Sequence, residues 1–314
     1  MDRYVVGIDG GGTKTEVVIA GLEGGTIGRF VSGAVNINGE SVKNVEGNLK
    51  DILKKISESI MPETPQENGV LKNCRCICMG AAGVSNPAAK ETLKKAFSAG
   101  GYDGELIIAG DHETALYGAL EKPDGIILIA GTGSICYGRN RQGLEKRTGG
   151  FGYLIDDEGS GYAIGRDILT AVVREKDGRG EPTLLAEMVF SQLNIKSIDQ
   201  LIGFIYAAET NKRDIAKLAP NLTAACDLGD RTALSIAQKC GNELLLLVTP
   251  VVRELDLFEG DIALAGSVLQ KDKYIQGFFA DALKKAHPGL KWSYPRHGAA
   301  YGAVLMAIAS AKKS

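Results

Sequence analysis

Apolar and polar positions in the first part of the chain follow two periods, one typical of strands and one typical of helices. Short apolar runs predict strands at residues 4–9, 14–20, 26–32, 74–80 and 105–109. Apolar residues spaced at about 3.6 positions predict helices at about 40–60, 87–99 and 112–121. Strands that alternate with helices in this way predict an α/β fold.

A similar order of elements begins again at Pro123. Strands are predicted at residues 126–130, 134–138, 144–147 and 261–265. Residues 182–255 have helical periodicity almost throughout, and an alanine-rich helix is predicted from about 298 to 312. The repeated order favours two α/β layers over one large sheet.

The repeat therefore divides the chain into two predicted α/β domains. The N-terminal domain comprises residues 1–121, and the C-terminal domain comprises residues 122–297 with an all-helical insertion at about 182–255. The last helix, about 298–314, is expected to pack back on the N-terminal domain. Ligands of such folds bind beyond the carboxyl ends of the strands, in the crevice between the two halves.

Composition and charge narrow the possible partners. The 314 residues carry a formal net charge of -2, so no basic surface for nucleic acid is expected. No apolar run approaches the roughly 20 residues that span a bilayer, and the first residues do not have the pattern of a signal peptide. We therefore expect a cytoplasmic protein that binds small molecules.

Six cysteines are present, and three of them alternate in one predicted strand. Cys74, Cys76 and Cys78 are therefore expected to point to one face of that strand. A metal site is one interpretation, but the chain has no Cys-x-x-Cys pair. The pattern favours small buried apolar residues in a reducing environment, without zinc, an iron–sulfur cluster or a disulfide.

Two glycine turns, each between two predicted strands, indicate phosphate binding. The first is Asp9–Thr15 (DGGGTKT), and the second is Gly131–Ser134 (GTGS). Glycine turns expose backbone N–H groups that can hold phosphate oxygens. A P-loop is excluded because its glycine spacing and following helix are absent, and the dinucleotide fingerprint fails for lack of that helix.

These turns resemble the two phosphate motifs of the superfamily of sugar kinases, heat-shock ATPases and actin (ASKHA). Ala265-Gly266-Ser267, at the end of a predicted strand, resembles the adenosine motif of that superfamily. The resemblance implies two ribonuclease H-like, actin-like ATPase domains with a central cleft. It also implies ATP and Mg²⁺ as cofactors.

A narrower resemblance is to the N-acetylglucosamine kinase group, the BadF/BadG-type family. Gly131–Ser134, Gly149–Gly152 (GGFG) and Asp157–Gly161 (DEGSG) follow the order of that family's motifs, and Gly33–Asn36 is similar to its sugar loop. The matches extend from Asp9 to Ser267. Phe151 stands where the family usually has Trp, and Ile155-Asp156 replaces its usual Leu/Met-Gly, which leaves the choice of sugar open.

The resemblance assigns residues to ATP and to a metal ion. The residues expected to contact ATP or its phosphates are Gly10, Gly11, Gly12, Thr13, Lys14, Gly131, Thr132, Gly133, Gly266 and Ser267. For Lys14, a solvent-facing position at the start of the next strand is an equal alternative. Asp9 is expected on the Mg²⁺ side, through water, since Mg²⁺ keeps several waters; the alternative is a turn aspartate bonded to nearby backbone.

Asp111 is the predicted catalytic residue. It follows a predicted strand and precedes a helix, so its carboxylate is expected at the crevice, where it can accept a proton from a substrate hydroxyl. The alternative role is a helix cap. The neighbouring His112 is expected to be a polar surface residue rather than a base.

The resemblance also implies a set of sugar contacts. They are Asn36, Asp111, Thr132, Gly150 and Asp157. Asp157 is expected to hold paired sugar hydroxyls, with Glu158 and Ser160 starting the next helix. The alternative is that the whole acidic segment only begins that helix.

The leading hypothesis is an ATP-dependent kinase for a hydroxyl, C6 by the resemblance, of an amino sugar such as N-acetylglucosamine or glucosamine. An alternative is an ATPase that activates an acyl-CoA dehydratase or reductase through an iron–sulfur cluster. A third is a non-catalytic sugar-sensing or actin-like protein. The resemblance further implies a homodimer.

Overall fold

The computed structural model of the protein describes residues 3–11, 14–35, 41–60, 71–84 and 86–313. The chain divides into two compact units, one formed by Met1–Asp124 with Pro295–Ser314 and one by Gly125–Tyr294. Each unit contains one five-stranded sheet with helices packed on it. The predicted α/β class is confirmed.

The sheet of the first unit has the strand order β3-β2-β1-β4-β5. Its strands are β1 (Tyr4–Gly10), β2 (Thr15–Gly21), β3 (Thr26–Ser32), β4 (Cys74–Ala81) and β5 (Glu105–Gly110). The first three strands are antiparallel neighbours, and β4 and β5 run parallel to β1. The central strands β1 and β4 are almost wholly buried, as strands covered on both faces must be.

Helices cover both faces of this sheet. They are α1 (Val42–Ile60), α2 (Pro87–Ala99), α3 (Asp111–Leu120) and α12 (Ala299–Ala311), with a short 3₁₀ helix at Leu71–Asn73. Side chains of α1 and α2 form one apolar core with Tyr4, Val6 and Ile8. The chain's last helix, α12, forms the other core with Val5 and Val18.

All six cysteines are buried, as predicted, but the prediction of one shared face is wrong for Cys74. Cys74 belongs to the core under α1, whereas Cys76 and Cys78 lie in the core under α12. The reason is an irregularity in the pairing of β1 with β4, where Tyr4 faces Cys74 and Val5 already faces Cys76. Such a bulge inserts one residue and so reverses the face on which the preceding side chain lies.

Two glycines allow α12 to approach its neighbours closely. A Cβ atom at Gly7 of β1 would lie 2.5 Å from Val304 N and 2.8 Å from Val304 Cγ2. A Cβ atom at Gly302 of α12 would overlap Thr114 O and the Gly118 backbone in α3. The absence of these side chains therefore sets the distance between α12, the sheet and α3.

The sheet of the second unit repeats this topology, with the order β10-β9-β6-β7-β8. Its strands are β6 (Gly125–Ala130), β7 (Ser134–Arg139), β8 (Glu145–Gly149), β9 (Gly260–Ala265) and β10 (Leu290–Ser293). Again three antiparallel strands are followed by two that run parallel to the first of them. The strand β10 was not predicted, because three of its four residues are exposed and give no apolar pattern.

Six helices lie between β8 and β9, where the first unit has α1 at the corresponding place. They are α4 (Gly161–Lys176), α5 (Leu185–Leu193), α6 (Ile198–Ile205), α7 (Lys212–Ala216), α8 (Pro220–Asp227) and α9 (Arg231–Glu254). After β9 come α10 (Ser267–Lys271) and α11 (Lys273–Ala286); neither was among the predicted elements. Helices and sheet share one continuous apolar core.

Within the described ranges, no helix combines the length and the apolar composition that a membrane crossing requires.

Replacing Gly302 by Ala should destabilise the first unit, because the new methyl group overlaps the backbone of α3. Overpacking of this kind costs about 1–3 kcal/mol, and more where backbone must move. Gly47→Ala is the matched control: Gly47 lies in a helix of the same unit with open space around its Cα, so Ala should stabilise by about 0.5–1 kcal/mol. Urea unfolding measures the stability of both variants. A Gly302→Ala midpoint equal to that of the parent protein would refute close packing at Gly302.

Candidate active site

The first glycine turn follows β1. Gly11 N–H donates to Lys14 O at 3.1 Å, which closes the turn. Gly10 has no room for a side chain, since a Cβ would lie 2.7 Å from Met79 Cε and 2.9 Å from Val35 Cγ2. Lys14 is exposed. Gly12 and Thr13, both predicted phosphate contacts, lie outside the described residues.

Asp9, the last but one residue of β1, has an unusual carboxyl group. Burial first, and then the negative charges of Asp111 and Glu16, together raise its pKa to about 6, while Lys14 opposes the rise. A carboxylate beside two others is stabilised when a cation binds there. No group of three or more metal-ligating side chains occurs among the described residues.

Asp111 is the first residue of α3, directly after β5, and half of its side chain surface (50%) is exposed. The cap position belongs to Gly110, whose N–H donates to Glu113 Oε1 at 2.7 Å. Asp111 is therefore not the residue that caps the helix. Burial alone would raise the pKa of Asp111, but the hydrogen bonds and charge of His112 hold it below its usual value.

The expectation that His112 is a polar surface residue is wrong. Its side chain is only 16% exposed, because the ring packs over Gly110, where a Cβ would lie 2.5 Å from the ring. Its backbone N–H donates to Asp111 Oδ1 at 2.9 Å, and Nδ1 lies 3.3 Å from the same oxygen. His112 is thus a positioning residue for Asp111, which the sequence indicated only by adjacency.

The predicted sugar loop of the first unit is described as far as Val35. Thr15 Oγ1 donates to Gly33 O at 2.7 Å, and Asn48 Nδ2 donates to Ala34 O at 2.7 Å. The side chain of Asn48 also occupies the space beside Gly33. Asn36, the predicted sugar contact at the end of this loop, lies outside the described residues.

The second glycine turn (residues 131–134) is held by the acidic motif (residues 157–161). Gly131 N–H donates to Gly133 O within the turn at 2.9 Å. Ser134 donates twice to the motif, from N–H to Asp157 Oδ1 at 3.2 Å and from Oγ to Glu158 O at 2.7 Å. In return, Gly161 N–H donates to Gly131 O at 2.7 Å. The acidic motif therefore fixes the backbone of the second glycine turn, which is predicted to bind phosphate.

Asp157 is buried, with 3% of its surface exposed, and has a left-handed backbone with φ of 67°. A residue other than glycine is uncommon in this region, although Asp adopts it more readily than most. Burial raises the pKa of Asp157, although the Ser134 N–H and the charge of Lys212 oppose the rise. No described residue donates a hydrogen bond to its second oxygen, Oδ2.

The two residues that follow Asp157 have structural partners. Glu158 accepts two hydrogen bonds of 2.8 Å from Arg166 Nη2 of α4. Ser160 caps α4, since its Oγ accepts from Ala163 N–H at 3.2 Å. The structure thus separates Asp157 from the helix-start role, which belongs to Ser160. Gly150, the other predicted sugar contact here, is exposed with φ of 74°.

A cavity of about 660 Å³ lies in the second unit between the second glycine turn and the predicted adenosine motif. Gly131, Thr132 and Ser267 line it, which brings together three residues that the sequence assigned to ATP. Gly266, with φ of 89°, lies against Ala130, where a Cβ would be 2.9 Å from the backbone N. A cavity of this volume suits a small organic ligand.

The same cavity has three cationic residues that the sequence did not identify. They are Arg213, Lys217 and Lys271, from α7, the residue after it, and the end of α10. No motif marks them, because their position depends on how the helical segment folds against the turn. Lys217 is paired with Asp214 at 2.8 Å, and Asp272 also lines the cavity, so Arg213 and Lys271 are the cations there that can attract an anionic ligand.

Comparison with known proteins agrees with these features. The BadF/BadG/BcrA/BcrD ATPase family matches residues 6–307. The N-acetylmuramic acid/N-acetylglucosamine kinase of Clostridium acetobutylicum is 36% identical over 97% of this chain and 98% of its own length. The N-acetyl-D-glucosamine kinase of Dictyostelium discoideum is 30% identical over 98% of each chain.

A similar fold occurs in a solved structure from Chromobacterium violaceum, described as a candidate N-acetylglucosamine kinase. It has a TM-score of 0.75 and 24% identity, and the match covers 98% of this chain and 99% of that one. This likeness confirms the fold class, and the family match confirms the resemblance that the motifs indicated. The chain belongs to the BadF/BadG/BcrA/BcrD ATPase family.

Proposed function

We propose that the protein is an ATP-dependent kinase that phosphorylates a hydroxyl, expected to be C6, of an amino sugar such as N-acetylglucosamine or glucosamine. The observation that carries the proposal is Asp111, an exposed carboxylate held at the carboxyl end of a strand and oriented by His112. The two kinase relatives, each similar over almost its whole length, support the same activity.

In this proposal the second unit binds most of ATP. The N–H groups of the second glycine turn hold phosphate oxygens, and the cavity between Thr132 and Ser267 receives the nucleoside. Arg213, Lys217 and Lys271 add positive charge at the same cavity. Because the acidic motif fixes the turn by hydrogen bonds, these donors need little reorganisation when the phosphates bind.

Asp9 is the proposed residue on the side of the metal ion. Its pKa of about 6 arises from burial and neighbouring carboxylates, so a divalent cation would remove an existing repulsion. A Mg²⁺ ion held there would supply positive charge that offsets the charge of the phosphates. Asp9 would contact it through water, since Mg²⁺ usually keeps several of its waters.

Asp111 is the proposed base. Its pKa is held low, so it remains ionised at neutral pH and accepts a hydrogen bond from the sugar hydroxyl. In a loose phosphoryl-transfer transition state the hydroxyl loses its proton late, and orientation of the nucleophile matters more than base strength. A weak base in a fixed position satisfies this requirement.

Asp157 is the proposed sugar contact in the second unit, with Thr132, Gly150 and Asn36 as further contacts. Its Oδ1 is already bonded to the turn, which leaves Oδ2 to accept from a sugar hydroxyl.

The alternative of an ATPase that activates an acyl-CoA enzyme would need cysteines at the surface for a shared cluster. All six cysteines are buried, which counts against it.

A substrate screen tests the activity itself. Mg²⁺-ATP is supplied with N-acetylglucosamine, glucosamine, N-acetylmannosamine, N-acetylmuramic acid or glucose, and ADP release is followed by a coupled assay. We expect turnover above the sugar-free rate with at least one amino sugar. ATP hydrolysis that no sugar stimulates would refute the kinase.

Asp111→Asn should lower kcat about 10²–10⁴-fold, the usual contribution of a positioned acid–base group. Binding of a non-hydrolysable ATP analogue, measured by calorimetry, should change little. Asp103→Asn is the control, because Asp103 is exposed and precedes the opposite end of the same strand. Near-normal turnover of Asp111→Asn would show that Asp111 is not the base.

The pKa of Asp9 predicts an acidic limb in the pH profile. The required carboxylate form predominates above about pH 6, so kcat/KM for Mg²⁺-ATP should be level above pH 7. At one unit below the pKa only about a tenth of Asp9 is ionised, and kcat/KM should fall about tenfold. Higher Mg²⁺ should move the limb to lower pH, since the ion binds the charged form. A profile that stays level down to pH 5 would contradict this role.

A further inference from the structure

A second cavity, of about 400 Å³, lies in the second unit between α4, α7 and the last residue of α6. We call it the arginine cavity, since Arg166, Arg174 and Arg179 border it. The cavity proposed for ATP, which Thr132 and Ser267 line, is called the nucleotide cavity. Among the described residues, none lines both cavities. The arginine cavity is therefore a separate candidate binding site.

The floor of the arginine cavity is apolar. Leu169 and Val173, one turn apart on α4, lie there together with Ile205 of α6 and Ile215 of α7. An apolar floor with a few polar groups at its border is the usual composition of a site for a small organic molecule, and the volume is in the range of such sites.

The three arginines differ in whether their charge is already paired. Arg166 donates two hydrogen bonds of 2.8 Å to the Glu158 carboxylate. Arg179 donates to Asp177 Oδ2 at 2.8 Å and 2.6 Å. Arg174 is exposed and forms no ion pair with any residue in the described parts of the chain. Hydrogen bonds from Arg179 lower the pKa of Asp177 most, and Arg174 lowers it further only through its charge.

The other carboxylates next to these arginines also have partners. Asp167 pairs with Lys239 at 2.8 Å, and Glu175 pairs with Lys176 at 3.1 Å. One positive charge, that of Arg174, is therefore left at the border of the cavity. A guanidinium matches a carboxylate through two parallel hydrogen bonds. The ligand that fits this border and floor is a monocarboxylate with an apolar body.

The helix α7 separates the arginine cavity from the nucleotide cavity. Ile215 of this helix lines the arginine cavity, while Arg213 and Ala216 line the nucleotide cavity. The helix packs directly on the backbone of α4, because a Cβ atom at Gly165 would overlap Ile215 O. A shift of α7 would therefore change both cavities.

A second connection between the two cavities runs through Arg166. Its partner Glu158 belongs to the acidic motif, and Glu158 O accepts from Ser134 Oγ at 2.7 Å. Ser134 is the last residue of the second glycine turn, which also contributes Gly131 and Thr132 to the nucleotide cavity. Hydrogen bonds thus join a guanidinium of the arginine cavity to the turn proposed for phosphate.

We propose that the arginine cavity is a regulatory site for a small organic monocarboxylate with an apolar body, and that its occupant strengthens the binding of ATP. The carboxylate pairs with Arg174, and the apolar body lies on the floor formed by α4, α6 and α7. An occupant in contact with α7 restricts the motion of that helix, so ATP has less ordering to impose on it. The coupling rests on the proposed binding of ATP, whereas the site itself does not.

The test of the site uses 2-naphthoate as the probe and 2-naphthamide as its uncharged counterpart of similar shape. Calorimetry measures the binding of each to the full chain. Arg174→Met removes the unpaired cation. Thr170→Trp places a large side chain across the cavity from an exposed position. Arg253→Met is the control, since Arg253 is an exposed arginine of α9 that does not line the cavity.

We expect 2-naphthoate to bind at least about fivefold more tightly than 2-naphthamide, the size of a partly exposed ion pair. Arg174→Met should weaken 2-naphthoate by the same factor without affecting 2-naphthamide. Thr170→Trp should abolish the binding of both, and Arg253→Met should change neither. Parent-like affinity of Arg174→Met for 2-naphthoate, or binding retained in Thr170→Trp, would overturn the site.

The coupling is tested by repeating the titrations with a non-hydrolysable ATP analogue. Saturating 2-naphthoate should lower the Kd of the analogue about fivefold, and the analogue should lower the Kd of 2-naphthoate by the same factor. Thr170→Trp should bind the analogue with the parent's affinity but show no effect of 2-naphthoate. Unchanged affinities would overturn the regulatory role. Displacement of 2-naphthoate by the analogue would put the probe in the nucleotide cavity and overturn the inference.

Two further outcomes separate this inference from the proposed function. Normal turnover of an amino sugar by a protein that does not bind 2-naphthoate would overturn the arginine cavity as a site and leave the kinase intact. Binding of 2-naphthoate that depends on Arg174, in a protein that does not bind the ATP analogue, would support the site and refute both the proposed ATP binding and the coupling.

Discussion

The hydrogen bonds between the second glycine turn and the acidic motif are the interaction on which the proposed chemistry depends. Ser134 donates to both Asp157 and Glu158, and Gly161 donates back to Gly131. A glycine turn alone is flexible, because glycine has more accessible conformations than any other residue. Here the turn's backbone is fixed by a buried carboxylate, so the residue proposed for the sugar also orders the residues proposed for phosphate. A displacement of the Asp157 carboxylate would therefore also displace the glycine turn, and the reverse.

The two units share one strand order but carry different charged groups. The first unit contributes two neighbouring carboxylates, Asp9 and Asp111, whose mutual repulsion is visible in the pKa of Asp9. The second contributes backbone N–H groups and the cations of the helical segment. The groups proposed to attract a metal ion and a hydroxyl lie in the first unit, and most of those proposed to attract phosphate lie in the second. The same strand order therefore carries different chemistry in the two units.

Much of this organisation was predictable from the sequence, because buried strands and amphipathic helices have regular apolar spacing. The glycine turns and the acidic motif were identified by local order along the chain. Other features were not predictable. The strand β10 is mostly exposed and lacks a pattern, and the bulge that turns Cys74 to the other face leaves no local signature. Arg213 lines the nucleotide cavity only because α7 packs against α4, which no local motif indicates.

The position of α12 has a consequence for the way the protein is made. This helix completes the core of the first unit, where it covers β1 and β4, yet it is encoded after the whole of the second unit. During synthesis the face of the first sheet that α12 covers has no α12 to pack against it until residues 125–294 have emerged from the ribosome. The second unit is continuous in sequence and can fold as soon as it is released. Its folding is therefore expected to precede that of the unit whose first strands are made earlier, against the usual order for multidomain chains.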